Sequence, residues 1–337
     1  MKELSRNGIL TVPFQPVDRS GHRRDRDEII SELLQLVNDH QPDLVHANSL
    51  SMSRLLGRAV DRLPIPGTGH LRDIMKLNRA AVHDLNRLMG LIAVSTATRE
   101  FHLGQGLSRE RCQVIHNGVD ASVFGGGSWE RLNLPFNPRP GGVILATIGQ
   151  IGLRKAQDRI PVLLRSLLDR NLNVDWLIIG QRFSRKAESV EFESEIHRNA
   201  SRLNVAEHLH WLGIRHDMPQ LYREIDIVVH LARQEPFGRV LLEAAASGCA
   251  IMATRVGGTE EILGSGRDAI LVPVDDDAAT LPELSRLVSE ADRRAELGQS
   301  ARHRVMSRFT VRASAVKHAR FWDAALTKKS GREKRTS

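Results

Sequence analysis

The stretch DIVVHLARQEPFGRVLLEAAASGCAIMATR occupies residues 226–255. It opens with one apolar run, 226–232, and closes with another, 249–255. Short apolar runs bounded by turn residues predict strands buried on both faces, as in a parallel sheet. Between them a helix is predicted over 238–247, built mostly of Val, Leu and Ala. Two acids break this pattern. Glu235 stands in the loop before the helix and Glu243 within it.

The same alternation extends outward in both directions. Strands are predicted at 9–14, 43–47, 65–69, 91–95 and 112–116, and again at 142–149, 174–180, 208–213 and 269–273. Helices fit at 25–40, 51–62, 74–89 and 96–104, then at 155–170, 187–203, 217–224, 258–263 and beyond 280. Such alternation implies parallel α/β sheets covered by helices. FGGGS, LPFNP and RPGG interrupt it after Val119, and Gly/Pro density of that kind marks a boundary. The reading is two Rossmann-like, doubly wound domains, 1–125 and 142–327, joined by a linker at 126–141. A basic tail, 328–337, is expected to be disordered. Open α/β sheets bind ligands beyond the carboxyl ends of their strands, so the chemistry is sought in the loops there.

Composition narrows the function. A chain of 337 residues has room for two domains. Its net charge of +8 points to anionic partners. One tyrosine and nine phenylalanines give few stacking platforms, and no nucleic-acid-binding motif is visible. A basic nucleic-acid-binding protein is therefore the weaker reading. No apolar run approaches the roughly 18 residues of a membrane span. MKELSRNGIL lacks a signal-peptide core. Cys112 and Cys249 flank apolar runs and read as core residues in a reducing compartment, which suggests the cytoplasm.

In GQIGLRKAQD (149–158) two glycines permit a tight turn, and Arg154 and Lys155 are expected where the next helix begins. Cations beside unpaired helix N–H groups make a diphosphate site. A solvated Arg-Lys pair is the plain alternative. In the opening stretch, Phe237-Gly238 allows a sharp helix entry. Arg239, Val240 and Leu241 then carry N–H groups without helical partners. A buried acid is costly unless donors satisfy it. Glu243 fits the hydroxyls of a ribose and Glu235 a transferred sugar. Otherwise one acid favours the helix dipole and the other pairs with an arginine.

E-P-F-G-x-x-x-x-E, from Glu235 to Glu243, resembles the E-x7-E signature of retaining glycosyltransferases of family 4, which share the two-Rossmann GT-B architecture. GQIGLRK is similar to that family's phosphate loop. HLHWLGIRHDMPQLYREIDIVVHLA and CAIMATRVGGTEEIL are similar to the segments flanking the signature, and PDLVHANS, AVSTATREF and VIHNGVD to first-domain segments. The resemblance implies a hexosyltransferase that uses a nucleotide sugar such as UDP- or GDP-hexose and retains anomeric configuration. It implies no cofactor and no bound metal. The acceptor would be a saccharide or a lipid-linked molecule, the latter met at the inner face of the membrane. Catalytic roles fall on Glu235, His70, Arg154 and Lys155. Donor contacts fall on Gly149, Gln150, Ile214, Arg215, Phe237, Gly238, Arg239, Val240, Leu241 and Glu243, with Gly257 and Gly258 lining the cleft. Gln150 departs from the family's arginine and leaves the clamp one cation short unless Arg154 substitutes.

Other patterns compete. Asp25-Arg26-Asp27 and Asp275-Asp276-Asp277 match the D-x-D metal motif of the other glycosyltransferase fold. A charge run and a helix cap explain them as well. His208 and His210 share a strand face with no third ligand in view. A sugar-nucleotide epimerase fits the architecture but not EPFG. The chain opens close to the strand that the resemblance makes the third. The first domain is therefore expected to lack its usual N-terminal strands and Gly-rich loop, and a truncated, catalytically impaired nucleotide-sugar-binding remnant is the alternative.

Overall fold

The computed structural model describes the chain apart from residues 1–3, 5, 19, 21, 23, 127–131, 133, 265 and 337. Its first region runs α1 (Arg26–His40), β1 (Val45–Ala47), α2 (Leu50–Ala59), β2 (Gly67–Leu71), α3 (Arg79–Asn86), β3 (Gly90–Ala93), α4 (Thr96–Leu103), β4 (Cys112–Val114) and α5 (Ala121–Phe124). The second runs β5 (Val143–Ile148), α6 (Ile160–Leu168), β6 (Val174–Ile179), α7 (Ala187–Arg202), β7 (Leu209–Gly213), α8 (Met218–Glu224) and β8 (Ile227–His230). It continues through α9 (Arg239–Ser247), β9 (Ala250–Thr254), α10 (Thr259–Leu263), β10 (Ile270–Val272), α11 (Asp277–Ser289), α12 (Ala291–Arg308) and α13 (Val311–Thr336).

Every described strand pair is parallel. The first sheet has the order β1-β2-β3-β4 and the second β10-β9-β8-β5-β6-β7. The second sheet is apolar on both faces because both are covered. Leu177, Ile179 and Ile251 point into one buried cluster, and Trp176, Ile178 and Met252 into the other. Its winding reverses between β5 and β8, where Leu145 pairs with Ile227 and Ala146 with Val228. A doubly wound sheet opens its ligand crevice beyond the carboxyl ends of the strands at this switch point.

The architecture is the one the sequence predicts, but several elements differ. Residues 9–14, read as a strand, are irregular, and Ile9, Leu10 and Val12 are exposed. A strand needs a neighbour, and Pro13 removes one ladder donor. β1 accordingly stands at the edge of the described first sheet. The tail read as disordered continues α13 to Thr336. Lys, Arg and Glu are good helix formers, and extending an existing helix needs no new nucleus.

α13 also crosses to the first sheet, where Phe321 joins a buried cluster with Ile92 and Ile115. Val119 and Thr310 form an isolated parallel bridge that fastens this return. Within the segment read as a linker, residues 127–131 and 133 lie outside the described residues. Beyond them Leu134 is buried and Phe136 stacks on His210 with ring centroids 3.7 Å apart.

Candidate functional site

The crevice is built from the loops after β5 and β8. After β5, Gln157 is buried and ties the loop across itself, donating to Gln150 O at 3.1 Å and accepting from Gly152 N at 3.2 Å. Arg154 and Lys155 lie in a 3₁₀ turn, not at an α-helix start as the sequence suggested. Ala156 is left-handed (φ 55°) and Pro161 occupies the first turn of α6, so the α-helix begins only at Ile160. The turn directs Lys155 inward. Its Nζ lies 2.5 Å from Glu235 Oε2. Arg154 is more exposed, donates to Gln234 O at 3.0 Å and lies 3.9 Å from the same carboxylate oxygen.

Glu235 is only 6% exposed. The same Oε2 accepts from His230 Nε2 at 2.8 Å, at the end of β8. Burial works to raise the Glu235 pKa, but the bonds and charges of His230 and Lys155 outweigh it and hold the carboxyl well below the usual range. Burial in turn lowers the pKa of both Lys155 and His230, opposed in each case by Glu235. The group is a preformed anion–cation pair oriented by an imidazole, and Glu235 Oε1 takes no part in these contacts.

Backbone geometry fixes this loop. Gly238, which caps α9, has φ 106°, a conformation that side chains rarely adopt. A Cβ on Gly257 would stand 1.9 Å from Glu235 O, and Gly258 N donates to that oxygen at 3.0 Å. No side chain caps α9. Leu241 N, expected to meet an anion, is instead bonded to Gly238 O at 3.0 Å, which leaves Arg239 and Val240 as the N–H groups of the first turn. Glu243 is half-buried. It accepts from Tyr222 Oη at 3.2 Å and lies 3.6 Å from Arg239. Burial raises its pKa, opposed by Arg239 and Tyr222.

The neighbouring loops close in. A Cβ on Gly180 would stand 2.0 Å from Gly149 O, and Gly180 N donates to Gly213 O at 2.7 Å. Ile214 is exposed beside this contact, while Arg215 is engaged by Asp217 at 2.5 and 2.8 Å. The acidic triplet has structural partners. Asp275 pairs with Arg233, Asp276 caps α11 by accepting from Ala279 N at 2.8 Å, and Asp277 pairs with Arg159. Arg233 also grips Asp158 at 2.7 and 2.9 Å, joining the two crevice loops. Asp25 caps α1 through Asp27 N and Glu28 N. His208 bonds to Val174 O and His210 to Asp175.

The first domain touches this site at points the sequence reading missed. Ser95 Oγ and Thr98 Oγ1 donate to Pro236 O at 2.5 and 3.1 Å. Glu261 accepts from Thr96 N, Ala97 N and His116 at 2.9, 3.0 and 2.8 Å, so a second-domain carboxylate serves the start of α4. The His116 ring stacks on Phe237 at 5.2 Å, so Phe237, an expected donor contact, is buried in this junction. His230 could have been noticed as a polar residue ending an apolar strand. Ser95 and Glu261 lie in segments that resemble the family's, but nothing local in the sequence marks their contacts. His70 lies apart, buried at the end of β2, with no hydrogen bond to the Lys155 group among the described residues.

Residues 135–304 match the family described as glycosyl transferases group 1, and residues 2–123 match glycosyltransferase family 4. Among curated relatives, a GDP-mannose-dependent alpha-mannosyltransferase of Mycobacterium tuberculosis is 28% identical over 80% of this chain and 72% of its own length. A D-inositol 3-phosphate glycosyltransferase of Nocardia farcinica is 26% identical over 88% of this chain and 70% of its own. That of Stackebrandtia nassauensis is 29% identical, but the match covers 57% of this chain and 44% of the relative. Among solved structures, Anabaena Alr3699/HepE in complex with UDP-glucose superposes with a TM-score of 0.80 at 21% identity, over 96% of this chain and 88% of that one. These matches span both sheets, and the chain belongs to the group 1, family 4 glycosyltransferases of GT-B fold.

Proposed function

We propose that this protein transfers a hexose from a nucleotide sugar to an acceptor hydroxyl, with retention of anomeric configuration. The observation that carries the reading is the Lys155–Glu235–His230 group at the switch point, beside an α9 start that no side chain caps. The diphosphate lies against the Arg239 and Val240 N–H groups, with Arg154 and Lys155 as its cations. Glu235, ionised and held by two donors, offers Oε1 to a hydroxyl of the transferred sugar. Glu243 serves the ribose, exchanging its long contact with Arg239 for hydroxyl bonds.

In the reaction the bond from the anomeric carbon to the phosphate oxygen breaks. The bond to the acceptor oxygen forms on the same face, and the acceptor proton passes to the departing phosphate. Arg154, Lys155 and the helix start stabilise the charge that develops on that phosphate, which makes a metal unnecessary. GDP and UDP are the leading donor nucleotides, since relatives and structural neighbours carry these names. Among the described residues no helix is long and apolar enough to cross a membrane.

The test is nucleotide release from GDP- and UDP-hexoses, with product anomers resolved by NMR, in buffer with and without EDTA. Release that persists in EDTA with a retained anomer is expected. Inverted product, or complete loss in EDTA that manganese restores, would overturn the mechanism.

A further inference from the structure

Two residues before Glu235, Arg233 stands where three crevice loops meet. Its Nε donates to both carboxylate oxygens of Asp275, in the loop after β10, at 2.9 and 3.0 Å. In the loop after β5, its Nη1 donates to Leu153 O and Asp158 Oδ1, each at 2.9 Å, and its Nη2 to Asp158 Oδ2 at 2.7 Å. Its own backbone N donates to Arg154 O at 2.9 Å. One residue thus holds the turn at 153 and 154, up to Lys155, and again at 158, beyond it.

The turn needs such a tie. Ala156, directly after Lys155, is left-handed (φ 55°), and so is Asp275 (φ 53°). Residues other than glycine adopt this conformation at a cost and keep it where their surroundings enforce it. Gln157 braces the turn only within its own loop. Among the described residues, the other side-chain links to the loop after β8 run through the cations themselves, Arg154 to Gln234 O and Lys155 to Glu235. An anion that draws those cations weakens both links. The bonds of Arg233 are spared, because they end on Asp158, Asp275 and Leu153 O. A guanidinium forked onto a carboxylate is fixed in direction, whereas an ammonium is not.

We propose that Arg233 is a positioning residue: it holds the 153–158 turn so that Arg154 and Lys155 stay aimed at the diphosphate while that group draws them from Gln234 and Glu235. The inference rests on the transferase reading above. It adds a residue that touches neither donor nor acceptor but sets the geometry of the cations that do the binding.

The test is calorimetric titration of GDP, UDP, guanosine and uridine into the wild-type protein, Arg233→Gln and Arg233→Lys. Arg233→Gln should weaken binding of the preferred diphosphate by ~10-fold, the loss of about one bond to a charged group, and leave its nucleoside unchanged. A role in folding alone would lower both. Arg233→Lys keeps the charge without the fork and should recover less than ~3-fold of the loss. In the Arg154→Ala background, Arg233→Gln should cost only ~3-fold, because residues acting through one another are not additive. Should Arg233→Gln fail to fold, Asp158→Asn carries the same test: it weakens the other half of the fork, and a loss confined to the diphosphate supports the proposal. An undiminished diphosphate affinity, equal losses for diphosphate and nucleoside, full recovery in Arg233→Lys, or the same loss with and without Arg154 would overturn it. A wild-type protein that binds the diphosphate no better than the nucleoside would overturn the donor reading, and this inference with it. A wild-type preference that Arg233→Gln leaves intact would contradict this inference alone.

Discussion

The two sides of the crevice treat buried polar groups in opposite ways. On the second-domain side, Lys155, His230 and Glu235 satisfy one another at 2.5 and 2.8 Å. On the first-domain side, His70 and the Trp322 indole are buried without partners. The sheets beneath them differ in the same sense. Among the described residues the second has six strands between two apolar clusters, whereas the first has four, with β1 at an edge, and Ile9, Leu10 and Val12 are exposed. A satisfied, rigidly backed group is suited to a charge that must be stabilised at once. An unsatisfied one carries a desolvation cost that its surroundings must offset.

The largest effect should come from breaking the satisfied side. Glu235→Ala leaves Lys155 buried and unpaired, and removal of one partner of a buried pair costs about 3–5 kcal/mol. Urea unfolding should show that loss, and sugar transfer should fall by roughly 10²–10³-fold. A stability change no larger than that of an exposed substitution would mean the group is not a unit.

Acid sharpens the contrast. Burial, helped by His46, Arg72 and His318, lowers the His70 pKa to about 3, and burial with His318 lowers that of His46 to about 4. Both are neutral in the folded chain, while the unfolded chain takes up protons below about 6.5. The stability they contribute is therefore present above pH 6.5 and lost as pH falls toward 4. Each proton taken up accounts for about 1.4 kcal/mol per pH unit. Glu235 behaves differently. Its depressed pKa confers stability above the ordinary glutamate value, lost only as pH falls below that value. His230 is the one histidine with a lowered pKa on that side. Urea midpoints between pH 7 and 5 should fall, and His70→Gln should flatten the fall. An unchanged slope would remove His70 as its cause.

Hydrogen exchange compares the regions directly. Amides of β1–β4 should exchange faster than those of β5, β6, β8 and β9, because fewer apolar contacts back them. Uniform protection would show that the first sheet closes its own core. The smallest effect belongs to the junction. Glu261→Gln weakens the acceptor at the start of α4 and should cost about 1 kcal/mol in the first region's stability. No change there would make the junction incidental.

The strands of the second sheet were legible to within a residue or two, because burial on both faces writes an unbroken apolar run such as VILATI. Residues 9–14 read the same way but pair with no strand among the described residues, and sequence periodicity is blind to pairing. The start of α6 was misjudged because the left-handed Ala156 is a tertiary choice that alanine does not announce. In the site, Arg154, Lys155 and Glu235 were legible as charges placed after strands. Their mutual pairing, and the contacts of His230, Ser95, Thr98, His116 and Glu261, arise from residues far apart in the chain. The return of α13 to the first sheet left no local signature.

In the proposed function the second domain holds the diphosphate of a nucleotide sugar through Arg154 and Lys155. This assignment is tested most directly by titrating GDP, UDP, guanosine and uridine into the wild-type protein, Arg154→Ala and Lys155→Ala. Arg154 is exposed enough that its replacement should leave the fold intact, so one variant remains informative even if the other is destabilised. Each substitution should weaken binding of the preferred diphosphate by about 10–100-fold and leave its nucleoside unaffected. Equal losses for diphosphate and nucleoside, or no loss for either, would contradict the account.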